Sequence, residues 1–425
     1  MKAFFRSILT QFRSLSRPAR LFILALFFDG LLFAAFNLFF NLYIIDAGYS
    51  RDFLGLINAA PSLSALLLGV PIGLLSDRMG RKPAMIVGFI LANVSILGML
   101  VFHSESLLLI LALAYGLFGQ LFLLSQAPFM MKTSDDKTRD LLFSLSYGMI
   151  PLANTVGNFV AGYLPGLLTR WLGLAGPVEA YRAAMVFGTL SSFLVLVPIA
   201  LIKEPKGAGA VKPSAEAKAD ADPPKASVWK VLVRPQTIKF SLPNLVIGLG
   251  AAIMVPYLNV FFAERHHMSD ADLGLLFSLG SLLIGIACIL GPRLVGNLGG
   301  KVRTIVAGQA TSLVFLLVIG FSPYAWLAML GFLVRGALMN MVAPLFDAYA
   351  LERTVEAEHG MVNSIRNLAW NVGWAVGPYL SGLVQQRWGF SPIFISTAIL
   401  YGLGIGLTWI FFKPQPEGER LAAIA

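Results

Sequence analysis

Residues 73–82 read Gly-Leu-Leu-Ser-Asp-Arg-Met-Gly-Arg-Lys and lie between apolar runs at 53–76 and 83–102. Each run matches the ~20 residues a helix needs to cross a bilayer core of ~30 Å. Between them, Gly73 and Gly80 permit close helix approach and a tight turn. Asp77 can accept hydrogen bonds at a helix N-terminus, and Arg78, Arg81 and Lys82 put positive charge at a membrane edge. A shorter copy, Gly296-Asn-Leu-Gly-Gly-Lys301, separates two later apolar runs. The stretch therefore predicts a pair of antiparallel membrane helices joined by a basic turn, and the copy predicts a second such pair.

Working outward, further runs at 21–45, 107–131, 141–168, 181–202, 238–262, 273–296, 302–321, 324–348, 360–384 and 391–412 complete a set of twelve. Pro61, Pro71, Pro128, Pro151, Pro256 and Pro344 fall inside them. Such prolines are tolerated in membrane helices, where neighbouring helices and water satisfy the freed carbonyls. The ten-residue alternating segments of a β-barrel are missing. Of the 425 residues 57% are hydrophobic and only 13% charged, about half the charged share of a soluble domain. That excludes a soluble enzyme and a disordered chain. The sole cysteine, Cys288, rules out an intrachain disulfide, and His103, His266, His267 and His359 show no metal-ligand spacing. The net charge of +10 is not gathered on a polar domain with stacking aromatics, so nucleic acid is not an expected partner.

The charge describes topology instead. Arg51, Arg170, Arg182, Arg265 and Arg387 fall on one side, Arg335 and Arg366 fall within runs, and every other Lys and Arg lies on the opposite side. By the positive-inside bias both termini are cytoplasmic. Residues 1–20 form an amphipathic segment at that face, with Phe4, Phe5, Ile8, Leu9 and Phe12 at helical spacing. Residues 204–237, rich in Ala, Pro, Lys and Asp, read as a flexible linker, and 414–425 as a tail. The linker divides the helices into six-helix bundles over 21–203 and 238–413. At one constant offset Ser50, Leu54, Gly55, Ser62, Gly80 and Lys82 match Ser269, Leu273, Gly274, Ser281, Gly299 and Lys301. Further on, Gly157 and Gly162 parallel Gly377 and Gly382. Parallel repeats of this kind point to alternating access around a site between the halves.

The stretch 73–82, its position between helices two and three and its weaker copy between helices eight and nine resemble the signature loop of the major facilitator superfamily. The resemblance covers residues 21–413 and implies an all-α membrane fold of twelve helices in two pseudo-symmetric bundles. It implies a secondary transporter, not an enzyme, working as a monomer without cofactor or metal in a plasma membrane (the inner membrane of a bacterium). In that family the loop works as a conformational latch, which carries to Gly73, Asp77, Gly80 and Arg81, with helix eleven, starting near Gly360, as the partner of Asp77. The alternative is a simple topogenic turn. Proton antiporters of the superfamily carry a Gly/Pro pattern on helix five. Here only Gly148 and Gly157 fit it there, and a fuller match, Gly373, Gly377, Pro378, Ser381 and Gly382, lies on helix eleven.

Charges inside a bilayer helix are costly and functional by default. Counting ~1.5 Å per residue, Asp29 and Arg335 both fall near the midplane. Asp29 is the expected proton-exchanging group, with Arg335 beside it or on an anionic part of the substrate; a static ion pair is the alternative. Asn37 and Asn41 share a broad face with Asp29 and are expected either to bind substrate or to bond between helices. On helix eleven Arg366, Trp370, Asn371 and Trp374 recur at helical spacing as a polar-aromatic face for an amphipathic ligand. Helix packing, with Arg366 snorkelling, is the competing account. The expected activity is proton-coupled efflux of small amphipathic molecules. Uptake of an anionic metabolite or sugar is the second reading, and a non-transporting membrane receptor the third.

Overall fold

The computed structural model describes residues 12, 14–135, 138–202, 234–354 and 359–413. Most of the expected amphipathic segment, nearly all of the linker and the tail lie outside the described residues. Among the described residues the chain is helical, without strands. The first six helices are α1 Arg17–Asp46, α2 Arg51–Met79, α3 Arg81–Val101, α4 Glu105–Thr133, α5 Arg139–Leu172 and α6 Pro177–Leu201. They are followed by α7 Pro235–His266, α8 Asp270–Asn297, α9 Lys301–Phe321, α10 Ala325–Glu352, α11 His359–Trp388 and α12 Ser391–Phe412. Ten of these are long and apolar enough to cross a bilayer. The remaining two, α5 and α11, carry Asn154, Thr155 and Asn158, and Arg366, Asn367 and Asn371, so a polar stripe lowers their mean hydropathy.

Local chemistry sets the ends. Ser16 accepts from the Ala19 amide at 3.3 Å, and its hydroxyl donates to the Thr133 carbonyl at 2.7 Å, tying the start of α1 to the end of α4. Ser50 caps α2 by accepting from Phe53 N–H, and Ser269 caps α8 by accepting from Asp272 N–H while its hydroxyl donates to the Asp272 carboxylate. Gly80 turns α2 into α3 at φ 88°, and Gly299 and Gly300 turn α8 into α9 at φ 74° and 114°, a region glycine enters at little cost. Lys82 donates its ammonium to the Ala200 and Ile202 carbonyls at 2.8 and 2.7 Å, closing the last turn of α6.

The chain forms two compact units, and their boundary is not the linker alone. The first holds residues 1–221, 256–282 and 378–386; the second holds 222–255, 283–377 and 387–425. The first is cored by Phe22, Leu26, Met85, Phe129 and Ile199, with the Phe22 and Phe129 rings 5.1 Å apart. Phe240, Ile305, Met341, Phe346 and Phe412 core the second, where Phe240 and Phe412 stack at 4.7 Å.

The outer ends of α7, α8 and α11, remote from the linker, thus belong with the first six helices. Two glycine crossings seat them. A Cβ on Gly382 would meet Arg51 O at 2.3 Å and Gly55 Cα at 3.0 Å; one on Gly162 would meet Asp270 O and Gly274 Cα at 2.8 Å. Gly55 and Gly274 are repeat mates, as are Gly162 and Gly382, so the two crossings are copies of one another. Polar contacts surround them. Arg51 pairs with Glu264 at 2.6 Å, the Arg51 amide donates to Gln386 Oε1 at 3.0 Å, and Tyr181 Oη donates to Asp270 at 2.8 Å. The passage from one unit to the other falls at Val255/Pro256 in α7, within a 3₁₀ turn over Val255–Tyr257, at Leu282/Leu283 in α8, and at Gly377/Pro378 and Gln386/Arg387 in α11.

Candidate functional site

In the first unit α1, α2, α3 and α4 leave a cavity of about 330 Å³. Asp29 lines it, half-buried, together with Phe33, Tyr115, Gln120 and Gln126. The Phe33 and Tyr115 rings lie 6.2 Å apart and stacked, and Phe36 joins the group 5.2 Å from Phe33. Close approach opens this space: Gly116 of α4 sits so near α2 that a Cβ there would meet Pro61 Cα at 2.3 Å. No cation pairs with Asp29 among the described residues. Gln120 and Gln126 make no hydrogen bond among them either. An unpaired carboxylate and two free amides on an aromatic wall can exchange a proton and hydrogen-bond an apolar guest in one place. The two glutamines are absent from the sequence-based candidates, although two amides in an otherwise apolar run at 107–131 are a visible signal.

Asn41 has a different role. Its Nδ2 donates to the Pro256 carbonyl at 2.5 Å and its Oδ1 accepts from Asn58 at 3.0 Å, which is interhelical bonding within the first unit. Asn259 does the same from α7, donating to Leu38 O at 2.8 Å. Asn37 stays exposed.

In the second unit the guanidiniums are engaged. Arg335, 6% exposed, donates to Tyr401 Oη at 2.5 Å, while its Nε has no partner among the described residues. Arg366, 3% exposed, pairs with Asp347 at 2.5 Å and stands 5.2 Å over the Phe346 ring. Arg366 is thus held by a carboxylate near the edge of the expected tenth run, Asp347, which is itself exposed. Asp347, Asn244, Gln309 and Trp370 line a small cavity of about 80 Å³. Trp370 lies against α7, where a Cβ on Gly248 would meet its ring at 2.9 Å. Trp370 and Trp374 are 6.3 Å apart, the Trp374 indole N–H is buried without a partner, and Asn371 donates to Asn367 O at 3.0 Å.

At the basic turn Asp77 pairs with Arg81. Arg81 also donates to Ser76 Oγ at 3.0 Å, and Ser76 bonds Ser125 of α4 at 2.7 Å. Gly80 makes the expected turn. Gly73 does not mediate close helix approach, because a Cβ there would meet nothing within 4 Å.

Comparison with known proteins follows this architecture. The sequence model of the Major Facilitator Superfamily matches residues 22–354 and 249–424. The chain belongs to the Major Facilitator Superfamily. It is 24% identical over 368 residues to the multi-drug resistance efflux pump PmrA of Streptococcus pneumoniae, covering 84% of this chain and 86% of PmrA. It is 21% identical to the quinolone resistance protein NorA of Staphylococcus aureus, over 84% of this chain and 87% of that one. A bacterial homologue of the human lysosomal transporter Spinster superposes with a TM-score of 0.73 at 11% identity, over 92% of this chain and 96% of that one. The nucleoside transporter NupG gives 0.71 at 13%, over 93% and 99%. The chain is accordingly a multi-pass membrane protein with the superfamily's transporter fold.

Proposed function

We propose that this superfamily member exports small amphipathic organic molecules in exchange for protons, by alternating access. The observation that carries the reading is Asp29, a carboxylate within a membrane helix that faces an aromatic-walled cavity with no cation paired to it among the described residues. A charge inside a membrane helix is expensive, which makes it a functional candidate by default. A carboxylate free of a fixed counter-ion can load and release a proton as access changes. Phe33, Tyr115, Gln120 and Gln126 supply apolar area with a few hydrogen-bonding groups, the composition of a pocket for amphipathic guests. PmrA, a relative named as a multi-drug resistance efflux pump, adds support for the direction, and NorA, named as a quinolone resistance protein, for an amphipathic drug-like substrate.

The competing uptake of an anionic metabolite loses support because Arg335 and Arg366 are taken up by Tyr401 and Asp347. Trp370, Asn371 and Trp374 remain candidate ligand contacts in the second unit. Gly80, Asp77 and Arg81 are proposed as a conformational latch acting with helix eleven, and the linker side is proposed to be cytoplasmic.

The test is transport in proteoliposomes loaded with a fluorescent amphipathic cation or dye under imposed pH gradients. Wild-type flux should reverse with the gradient. Asp29→Asn should lose gradient-driven accumulation while keeping substrate exchange at equal pH. Gradient-driven accumulation undiminished in Asp29→Asn overturns the proton role.

A further inference from the structure

Many of the cations that sequence explains by topology alone converge on one place. At the linker-side end of the second unit the first turns of α7 and α9 and the last turns of α10 and α12 enclose an open pocket of about 900 Å³. Its lining includes Lys239, Lys301, Arg303, Arg353 and Lys413, against one carboxylate among the described residues, that of Glu352. That carboxylate is already paired with Lys301. Arg353 stands 4.9 Å over the Tyr349 ring. Lys239, Arg303 and Lys413 are exposed and form no ion pair among the described residues. Between them the Gly299–Gly300 turn enters α9, whose N-terminus has no side-chain cap, so its first amides add to the positive field. Like charges gathered around one hollow repel each other, and an anion seated there would relieve that repulsion.

The surroundings describe the rest of the ligand. Ile410 on the rim is 66% exposed. One residue along α7 from Lys239, Ile238 opens an apolar groove of about 300 Å³ between α7 and α11, lined also by Leu242, Leu245 and Leu368. A cationic hollow beside an apolar groove fits a molecule with a charged head and hydrocarbon chains. Basic pockets at the edges of membrane helices bind acidic lipid headgroups on these terms.

We propose that this pocket is a phosphate-anion site, filled by the headgroup of an acidic phospholipid whose acyl chain lies along the α7–α11 groove. The full-length protein is titrated with phosphatidylglycerol and, separately, phosphatidylcholine in mixed micelles, and lipid retention is read by native mass spectrometry. Arg303→Gln/Lys413→Gln removes two unpaired cations from the pocket, while Arg17→Gln/Lys132→Gln removes the same charge elsewhere on the same side. The pocket variant should weaken phosphatidylglycerol retention roughly 25-fold, at about fivefold per cation near the surface. Phosphatidylcholine and the charge-matched control should show no comparable change. A third arm adds inorganic phosphate: displacement of phosphatidylglycerol would support the phosphate chemistry and identify soluble phosphates as competing occupants, and no displacement would support the lipid as sole occupant. Equal losses in the two double variants would overturn the proposal, since the lipid would then be answering net charge and not this pocket.

Discussion

Replacing Gly382 by alanine asks whether the outer ends of α2 and α11 are held together by close approach of their backbones. The new Cβ would stand 2.3 Å from Arg51 O, 3.0 Å from Gly55 Cα and 3.1 Å from Arg51 C. All three are backbone atoms, so no side chain can rotate away. Carbon–oxygen contacts close at ~3.3 Å, so the helices must part by about 1 Å. Overpacking of this kind costs roughly 1–3 kcal/mol, equivalent to a 5–150-fold shift of a two-state balance. The separation would also stretch the hydrogen bond from the Arg51 amide to Gln386, now 3.0 Å long. Hydrogen exchange of the full chain in nanodiscs reads the effect, through peptides covering 51–58 and 378–386. Their opening should rise by the factor above, and the repeat-related Gly162→Ala, whose nearest contacts are 2.8 Å, should raise opening less, in peptides covering 158–166 and 270–278. Gly402→Ala, which would meet nothing within 4 Å, is the reference for added helix propensity alone. Exchange at 51–58 and 378–386 indistinguishable between Gly382→Ala and Gly402→Ala refutes the reasoning.

Other expectations concern the second unit and the basic turn. Asp347→Ala strands the buried Arg366; with Asp347 itself 60% exposed, the loss should be about 1–2 kcal/mol, below the 3–5 of a fully buried pair. Thermal unfolding reads it, and Arg366→Met in the Asp347→Ala background should recover part of the loss. Tyr401→Phe removes the hydroxyl that Arg335 donates to and should destabilise by roughly 1.5–3 kcal/mol, as for hydrogen bonds to charged groups. Thr397→Val, which removes a hydrogen bond to the Gly250 carbonyl, should cost only ~1 kcal/mol in the same melt. Asp77→Asn breaks the pair with Arg81 and should lower maximal transport rate on the order of tenfold, the effect of ~1.4 kcal/mol on a conformational balance, with melting temperature unchanged. An unaltered rate would leave the turn a topogenic element only.

The helices were legible because length and apolarity are local properties: the runs at 302–321 and 391–412 coincide with α9 and α12 within a residue. The repeat was legible from ordered matches, which the Gly55–Gly382 and Gly162–Gly274 crossings reproduce. Pairing was less accessible. Gly55 and Gly382 each stand out as repeat members, but nothing local says that they meet. Asp347 escaped notice because a charge at the end of a run looks like an ordinary interfacial residue, and only the fold brings Arg366 to it. Tyr401 is hidden for the same reason, its hydroxyl lost in an apolar helix until Arg335 arrives from α10. Asn41 shows the reverse limit. A polar residue on the right face of the right helix can be occupied by a backbone carbonyl from a distant part of the chain on one side and a neighbouring side chain on the other.

Two helices pass from one unit to the other at a proline, Pro256 in α7 and Pro378 in α11. Proline lacks the amide hydrogen that would reach back four residues, so the carbonyls of Ala252 and Trp374 lose their usual axial tether. Flexural stiffness is therefore reduced at these two points, as it is at Pro243 nearer the start of α7. The polypeptide has in effect been notched where the outer segment of each rod parts from the body that holds its inner segment.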